Sequence, residues 1–281
     1  MRVGSMTTWV APDSGTIDLQ VGCQFDVRSS NPTTAVLQVA PHGDQTATIT
    51  NEWWDGAIPH RRYADEFANR CERFSLPAGE IRLAYSAEVS VSALADEQAW
   101  DARETPIEEL PDELLRWVMP SRFCQPDELG SDAWRIFGSV APGWARVQAI
   151  CDFVNGHLEY VHGSSNPWTT AADAYRSGQG VCRDFAHLAI TFCRALNIPA
   201  RYAFGYIPDI GNPPPYEVMD FAAWFEVNLS GRWHTFDARL NQPRIGRVLV
   251  GRGRDAVDVA QMTSFGAVDL LRFVVKADQL L

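Results

Sequence analysis

A cysteine stands where a glycine-punctuated loop turns into a helix, in the segment Gly178-Gln179-Gly180-Val181-Cys182-Arg183-Asp184-Phe185. A thiol in the first turn of a helix lies near the positive end of the helix macrodipole, which favours the thiolate form. A thiolate is the nucleophile that cysteine-dependent acyl transfer requires. The pattern therefore predicts Cys182 as a nucleophile, whereas Cys193, about three turns along the same helix, is interpreted as a core residue.

The base that such a thiol requires is missing from the position where the sequence predicts it. Residues 220–237 are predicted to form a hairpin with its turn near Ser230-Gly231. A two-residue turn places position 222 across from Asp237 or Arg239, and these two residues share a face. A base at position 222 would lie beside the Asp237 carboxylate, which would orient it. The residue there is Ala222.

The six histidines are poor substitutes for that base. His187 lies five residues beyond Cys182 on the same helix, or roughly 140° around its axis, and is interpreted as a packing residue. His234 lies three residues before Asp237 and points to the other face of its strand. His157 and His162 are interpreted as capping or surface residues near a helix end. His42 and His60 are interpreted as part of the N-terminal β region.

Composition excludes several classes of function. The net charge of −11 and the pI near 5.0 argue against a nucleic-acid or anionic-membrane partner. The six cysteines include no CxxC pair, and no metal or other cofactor is expected. The N-terminus lacks an apolar leader, and no stretch approaches 18 apolar residues. We therefore expect a cytoplasmic protein with reduced thiols, with Met6 as a second start and residues 1–5 as a cloning remnant.

Hydrophobic periodicity predicts an α+β protein with two domains. Alternating apolar residues over 17–27 and 81–91 indicate strands of an antiparallel, sandwich-like N-terminal domain, residues 1–105. Residues 106–281 are predicted to form a second domain, in which helices precede an antiparallel sheet. One apolar stripe begins at Trp144, and a second helix runs from about Cys182 to Leu196. Strands are predicted at 201–207, 221–229 and 232–237, with the prolines at 213–215 in a stiff loop.

Three long segments resemble the bacterial transglutaminase-like proteins, which share the papain-like cysteine-proteinase core: GVCRDFAHLAITFCRALNIPARY, MDFAAWFEVNLSGRWHTFDAR and RIGRVLVGRGRDAVDVA. Residues 17–95 resemble the β-rich domain that usually precedes this core. The resemblance implies a Cys-His-Asp triad that forms a thioester, with Cys182 at the nucleophile position and Asp237 at the acid position. The family pattern DFHAWFE aligns with residues 220–226, so this chain departs from it at the base itself, Ala222.

Two explanations fit the alanine. An engineered His→Ala change, which a cloning remnant would accompany, is the favoured one; a naturally inactive relative retained as a peptide-binding or protein-binding module is the other. In either case the loss of a triad member removes several orders of magnitude in rate. Without an imidazolium, the helix dipole alone lowers the thiol pKa by under about one unit. We therefore expect Cys182 to be mostly protonated at neutral pH, and the chain to bind substrate without turning it over.

Other roles in the site are less constrained. The backbone N–H of Cys182 is the expected oxyanion donor, and Gln179 is either a second donor or a turn residue. Trp224 shares the face of Ala222 and is predicted to line the cleft, although an ordinary place in the sheet fits the pattern equally well. The expected partner is a peptide or protein amide. The acceptor, water in an amidase or protease and an amine in a transglutaminase, is left open, as is the oligomeric state.

Overall fold

The computed structural model describes residues 15–44, 46–56, 58–211 and 218–280. The predicted cloning remnant and the proline run at 213–215 lie outside these residues. The chain begins with six strands: β1 (Thr16–Ser29), β2 (Thr33–Leu37), β3 (Ala47–Asp55), β4 (His60–Ala64), β5 (Arg70–Leu76) and β6 (Gly79–Ser92). In β1 and β6 the buried residues alternate with more exposed ones. Both segments are therefore strands with one buried face, as the period-two pattern predicts.

A helical segment follows, with a short 3-10 turn (Ile107–Glu109) and then α1 (Asp112–Leu115), α2 (Pro126–Phe137), α3 (Trp144–His157), β7 (Glu159–Tyr160), α4 (Ala171–Ser177), β8 (Gln179–Gly180) and α5 (Cys182–Ala195). Helix α5 begins at the predicted nucleophile. Its apolar stripe, including Phe185, Leu188 and Phe192, is buried against neighbouring helices and a sheet. The helix ends before Asn197, whose φ of 62° is the left-handed value typical of a helix end.

The remaining strands are β9 (Ala200–Tyr206), β10 (Ala222–Leu229), β11 (Arg232–Phe236), β12 (Val248–Gly253), β13 (Met262–Ser264) and β14 (Val268–Gln279). Four of them form an antiparallel sheet in the order β11-β10-β9-β12. Ser230 and Gly231, with φ values of 51° and 75°, form the two-residue turn between β10 and β11. Positive φ at both central residues is typical of a type I′ turn, which suits the twist of a hairpin.

The last two strands return to the N-terminal region. Strand β14 pairs with β1 along the order β14-β1-β6-β3, and β13 pairs with β2 in the order β13-β2-β5-β4. The two sheets pack through aromatic side chains, with the rings of Trp54 and Phe74 4.9 Å apart. The α+β class with antiparallel sheets is therefore confirmed. The division at residue 105/106 stays a prediction, although the N-terminal sheets include strands from the C-terminal end of the chain.

Among the described residues, no helix has the length and apolar character needed to cross a bilayer. The six cysteines form no disulfide; Cys182 is partly exposed and the other five are buried.

Candidate active site

Cys182 is the first residue of α5, and its thiol points towards the beginning of β10. The Sγ atom lies 3.8 Å from the backbone carbonyl oxygen of Phe221, the residue before Ala222. Because β10 begins at residue 222 and the antiparallel β11 ends at residue 236, both strand ends meet the start of α5 at one end of the sheet. The structure therefore brings the three sequence-predicted positions to the same end of one sheet.

Burial dominates the ionisation of the thiol. Desolvation raises the pKa of Cys182 to about 11, and the positive charge of Arg239 offsets only part of this shift. The carboxylates of Asp220 and Asp184 add to the increase, because a nearby negative charge disfavours a thiolate. This pKa agrees with a thiol that is protonated at neutral pH, and burial is its main cause.

The first turn of α5 is held by Asp184. One carboxylate oxygen accepts the backbone N–H of Val181 at 2.8 Å and also the hydroxyl of Ser165. A Cβ atom at Gly180 would lie 2.8 Å from the Cβ of Asp184, so the glycine before the cysteine makes room for this side chain. Burial raises the pKa of Asp184. The glycine-rich pattern before Cys182 thus permits the packing that fixes the start of the helix.

Ala222 is the first residue of β10 and is partly buried. Its partner on β9 is Gly205, which presents no side chain against it. On the other side, Phe225 pairs with Phe236, and the ladder ends there. Continuing this register would place position 222 across from Arg239 and Trp224 across from Asp237. Position 222 and Asp237 are therefore diagonal neighbours on one face of the hairpin.

Asp237 follows directly after β11 and is 7% exposed. Its Oδ1 atom accepts the backbone N–H groups of Arg239 at 3.0 Å and Leu240 at 2.9 Å. Its Oδ2 atom accepts a hydrogen bond from Nη2 of Arg247 at 3.0 Å. Three hydrogen bonds therefore fix the carboxylate beside the predicted base position.

Trp224 and Gln179 lie in different surroundings. Trp224 is buried, and the guanidinium carbon of Arg247 lies 5.0 Å from its ring centroid. Trp224 lines a cavity of about 220 Å³ between the sheet and the N-terminal strands; Cys182 does not line this cavity. Gln179 is exposed in β8, where its backbone carbonyl accepts the hydroxyl of Ser177. The substrate-binding and oxyanion roles of these two residues stay predictions.

Other histidines have structural partners of their own. His187 is fully buried, accepts the backbone N–H of Ala256 at 3.1 Å, and stacks on Phe123. The ring of His234 packs edge-on against Trp144, with 5.5 Å between the ring centroids. These contacts confirm the interpretation of both residues as poor substitutes for a base at position 222.

The sequence interpretation missed Arg247 and did not assign a role to Arg239. Arg239 contacts the ring of Tyr160, with 4.0 Å between its guanidinium carbon and the ring centroid. It lowers the pKa of both Cys182 and Asp220, although burial leaves both values raised. Arg247 lies in the family-like segment RIGRVLV, but no spacing in that segment indicates that it contacts Asp237. Among the described residues, no cluster of three or more His, Cys, Asp or Glu side chains could hold a metal ion.

The chain is similar to several known proteins and to one protein family. The core of the transglutaminase-like superfamily matches residues 134–238, which include all three predicted triad positions. A candidate cysteine protease from Cytophaga hutchinsonii has a similar structure, with a TM-score of 0.84 and 31% identity over 95% of this chain and 91% of that chain.

Two mycobacterial proteins of uncharacterized function are also similar. One from Mycobacterium leprae is 31% identical over 44% of this chain and 47% of its own length. One from Mycobacterium tuberculosis is 35% identical over 36% of this chain and 35% of its own length. The chain therefore spans less than half the length of these two relatives.

Proposed function

The chain belongs to the transglutaminase-like superfamily, and on that basis we propose that its site is built for thiol-dependent acyl transfer from amide bonds. Cys182 is the nucleophile, position 222 is the place of the base, and Asp237 orients that base. The observation that carries the proposal is the 3.8 Å contact between the Cys182 Sγ atom and the Phe221 carbonyl. This contact supports the proposal because Phe221 directly precedes position 222, whose side chain would hold the imidazole.

In the complete site, the base first removes the thiol proton of Cys182. The thiolate attacks the amide carbonyl carbon, forming a C–S bond and a tetrahedral oxyanion. The imidazolium then donates its proton to the departing amide nitrogen, and the C–N bond breaks to leave a thioester. Water or an amine attacks this thioester while the imidazole takes the attacking group's proton. The C–S bond then breaks, and the thiolate of Cys182 is regenerated beside the imidazolium.

This chain lacks the group that moves the proton. With Ala222 at the base position and a thiol pKa near 11, Cys182 has neither a proton acceptor nor a substantial thiolate population at neutral pH. The chain is accordingly an inactivated form that retains the cleft. A non-catalytic peptide-binding protein is the second candidate, and the same alanine favours it. The cytoplasmic location expected from the sequence stays part of this proposal.

The proposal is tested by acylation with a p-nitrophenyl ester of an N-acylated peptide, in the present chain and in Ala222→His. We expect a burst of nitrophenol and a thioester on Cys182 only in the restored variant, with Cys182→Ala in that background as the control. A restored variant that forms no acyl-enzyme would favour the binding protein. Comparable acylation of Cys182 in the present chain would refute inactivation.

The same experiment separates the acceptors. Adding a primary amine after the burst gives an amide product if the site transfers acyl groups to amines, and only the acid if water attacks. Self-modification is easily located, because Lys276 is the only lysine in the chain. Appearance of the acid alone at a saturating amine concentration would assign the site to hydrolysis.

A further inference from the structure

Arg247 bridges two carboxylates inside the protein. Its Nη2 atom donates to Oδ2 of Asp237 at 3.0 Å, and its Nε atom donates to Oδ2 of Asp96 at 2.8 Å. The Arg247 side chain is 8% exposed, and those of Asp237 and Asp96 are 4% and 16% exposed. A guanidinium group can hold two carboxylates in fixed directions because its donors lie in one rigid plane.

Within the part of the chain that the structure describes, the hydrogen bonds of Asp237 leave one acceptor direction unused. An ionised carboxylate offers about four lone-pair sites. Three are used, two by the backbone N–H groups of Arg239 and Leu240 and one by Arg247. The remaining site suffices for a single N–H donor, which is what an imidazole at position 222 would present. Because the other three bonds hold both oxygens, the direction of that last site is fixed.

Asp96 connects the bridge to the N-terminal sheets. It lies four residues after the end of β6, and Ala95 forms a β-bridge with Ile245. The backbone N–H of Asp96 donates to the Arg244 carbonyl at 3.0 Å, and the Asp96 carboxylate accepts the Arg244 N–H at 2.9 Å. The segment that leaves β6 is therefore held against the segment that carries Arg247 by backbone and side-chain bonds together.

From this geometry we infer that Arg247 is a positioning residue for Asp237, and that Asp96 makes the N-terminal sheets part of the support of the active site. The inference rests on the proposed function, since Asp237 needs a fixed direction only if it orients a base. The competing role for Arg247 is simple charge compensation of two buried carboxylates.

These two roles predict opposite changes in the pKa of an imidazole introduced at position 222. In an Ala222→His/Cys182→Ser background, the pKa of the introduced imidazole is measured by NMR, with Asp237→Asn as the reference for loss of the acid. If Arg247 positions Asp237, Arg247→Gln lowers the imidazole pKa towards the Asp237→Asn value. If Arg247 only compensates charge, removing a cation raises that pKa. The other charged groups near the site are identical in the compared variants: His162, Asp184, Asp220 and Arg239.

Cys182 is absent from this titration, so the result does not depend on whether Cys182 is a nucleophile. With Cys182 present, the proposed function is read separately as its rate of reaction with dipyridyl disulfide at pH 6. At pH 6, Arg247→Gln is expected to reduce the rate of the Ala222→His variant by roughly 10- to 100-fold, the range found when groups that orient metal ligands are removed. A restored variant with a responsive imidazole but an inert thiol would refute the function and leave the positioning role standing.

Two further variants guard against a misfolded Arg247→Gln protein. Asp96→Asn keeps Arg247 but weakens its anchor, and it should lower the imidazole pKa in the same direction by a smaller amount. Arg201→Gln breaks a comparable Arg–Glu pair to Glu226 in the same sheet, without contact to Asp237, and should leave the imidazole pKa unchanged. An imidazole pKa that is unchanged or raised in both Arg247→Gln and Asp96→Asn overturns the inference. So does an imidazole that does not respond to Asp237→Asn.

Discussion

Replacing Ala222 by histidine should change the pH dependence of Cys182 reactivity more than its rate at neutral pH. In the present chain the thiol pKa is about 11, so roughly one thiol in 10⁴ is ionised at pH 7 and roughly one in 10⁵ at pH 6. An imidazolium partner can lower a cysteine pKa to roughly 3–4, which ionises the thiol fully at both values.

The gain in thiolate is partly cancelled by weaker nucleophilicity. For thiol–disulfide exchange, nucleophilicity falls with pKa with a slope of about 0.4–0.5, so a decrease of about seven units costs roughly 10³-fold. The net increase in rate is therefore about tenfold at pH 7, about 100-fold at pH 6 and about 1,000-fold at pH 5. The ratio of the two rates should grow tenfold for each unit of decreasing pH, because only the present chain loses thiolate.

Dipyridyl disulfide is a suitable probe, because its own pH dependence cancels in the ratio of the two rates. Mass spectrometry assigns the modified residue among the six cysteines, and the five buried ones serve as internal controls. Ala222→Gln provides a side chain of similar size that cannot be protonated. A ratio that stays constant between pH 5 and 7, or an equal effect of Ala222→Gln, would refute the thiolate–imidazolium pair.

Three further predictions concern the free energy of unfolding. Burial lowers the pKa of His187, so the stability that the neutral side chain contributes is fully present above the unfolded pKa of about 6.5. As the pH falls below that value, the free energy of unfolding decreases by up to about 1.4 kcal/mol per pH unit. His187→Gln should flatten this slope in urea unfolding. Gly205→Ala should destabilise the protein by about 2 kcal/mol, because the added Cβ would lie 2.0 Å from a strand carbonyl. Gly130→Ala should stabilise it by about 0.5–1 kcal/mol, because the space around this helical glycine is open. The reverse order of melting temperatures would contradict this packing. Arg194→Lys should lower the free energy of unfolding by about 3 kcal/mol, because the buried guanidinium makes five hydrogen bonds. Arg176→Lys, at an exposed ion pair, should lower it by under about 0.5 kcal/mol. Equal decreases in melting temperature would refute the difference.

Local patterns in the sequence predict much of the fold. The start of α5 at Cys182 follows from the glycine-rich loop and the apolar stripe that comes after it. The β10–β11 hairpin follows from two strand-like runs separated by Ser230-Gly231, and one of its two predicted registers is observed. Both features depend on residues close together in the chain, where the periods of helices and strands relate spacing directly to geometry.

Pairing between distant segments could not be predicted in the same way. Nothing in residues 268–279 specifies β1 as the partner of β14, because many strands present a similar apolar face. Likewise, the alternation along β10 predicts that Trp224 shares the face of position 222, yet only the packing of the N-terminal strands decides that Trp224 borders a cavity.

For the candidate site, the sequence predicts the three positions and the face that position 222 and Asp237 share, and it has an alanine at position 222. The surroundings that control their chemistry depend on the folded chain. The thiol pKa near 11 results from desolvation by residues that other elements bring around Cys182. The Asp96–Arg247–Asp237 bridge joins residues up to 151 positions apart. Desolvation and hydrogen-bond direction depend on atoms that meet only when the chain folds, so no spacing along the sequence encodes them.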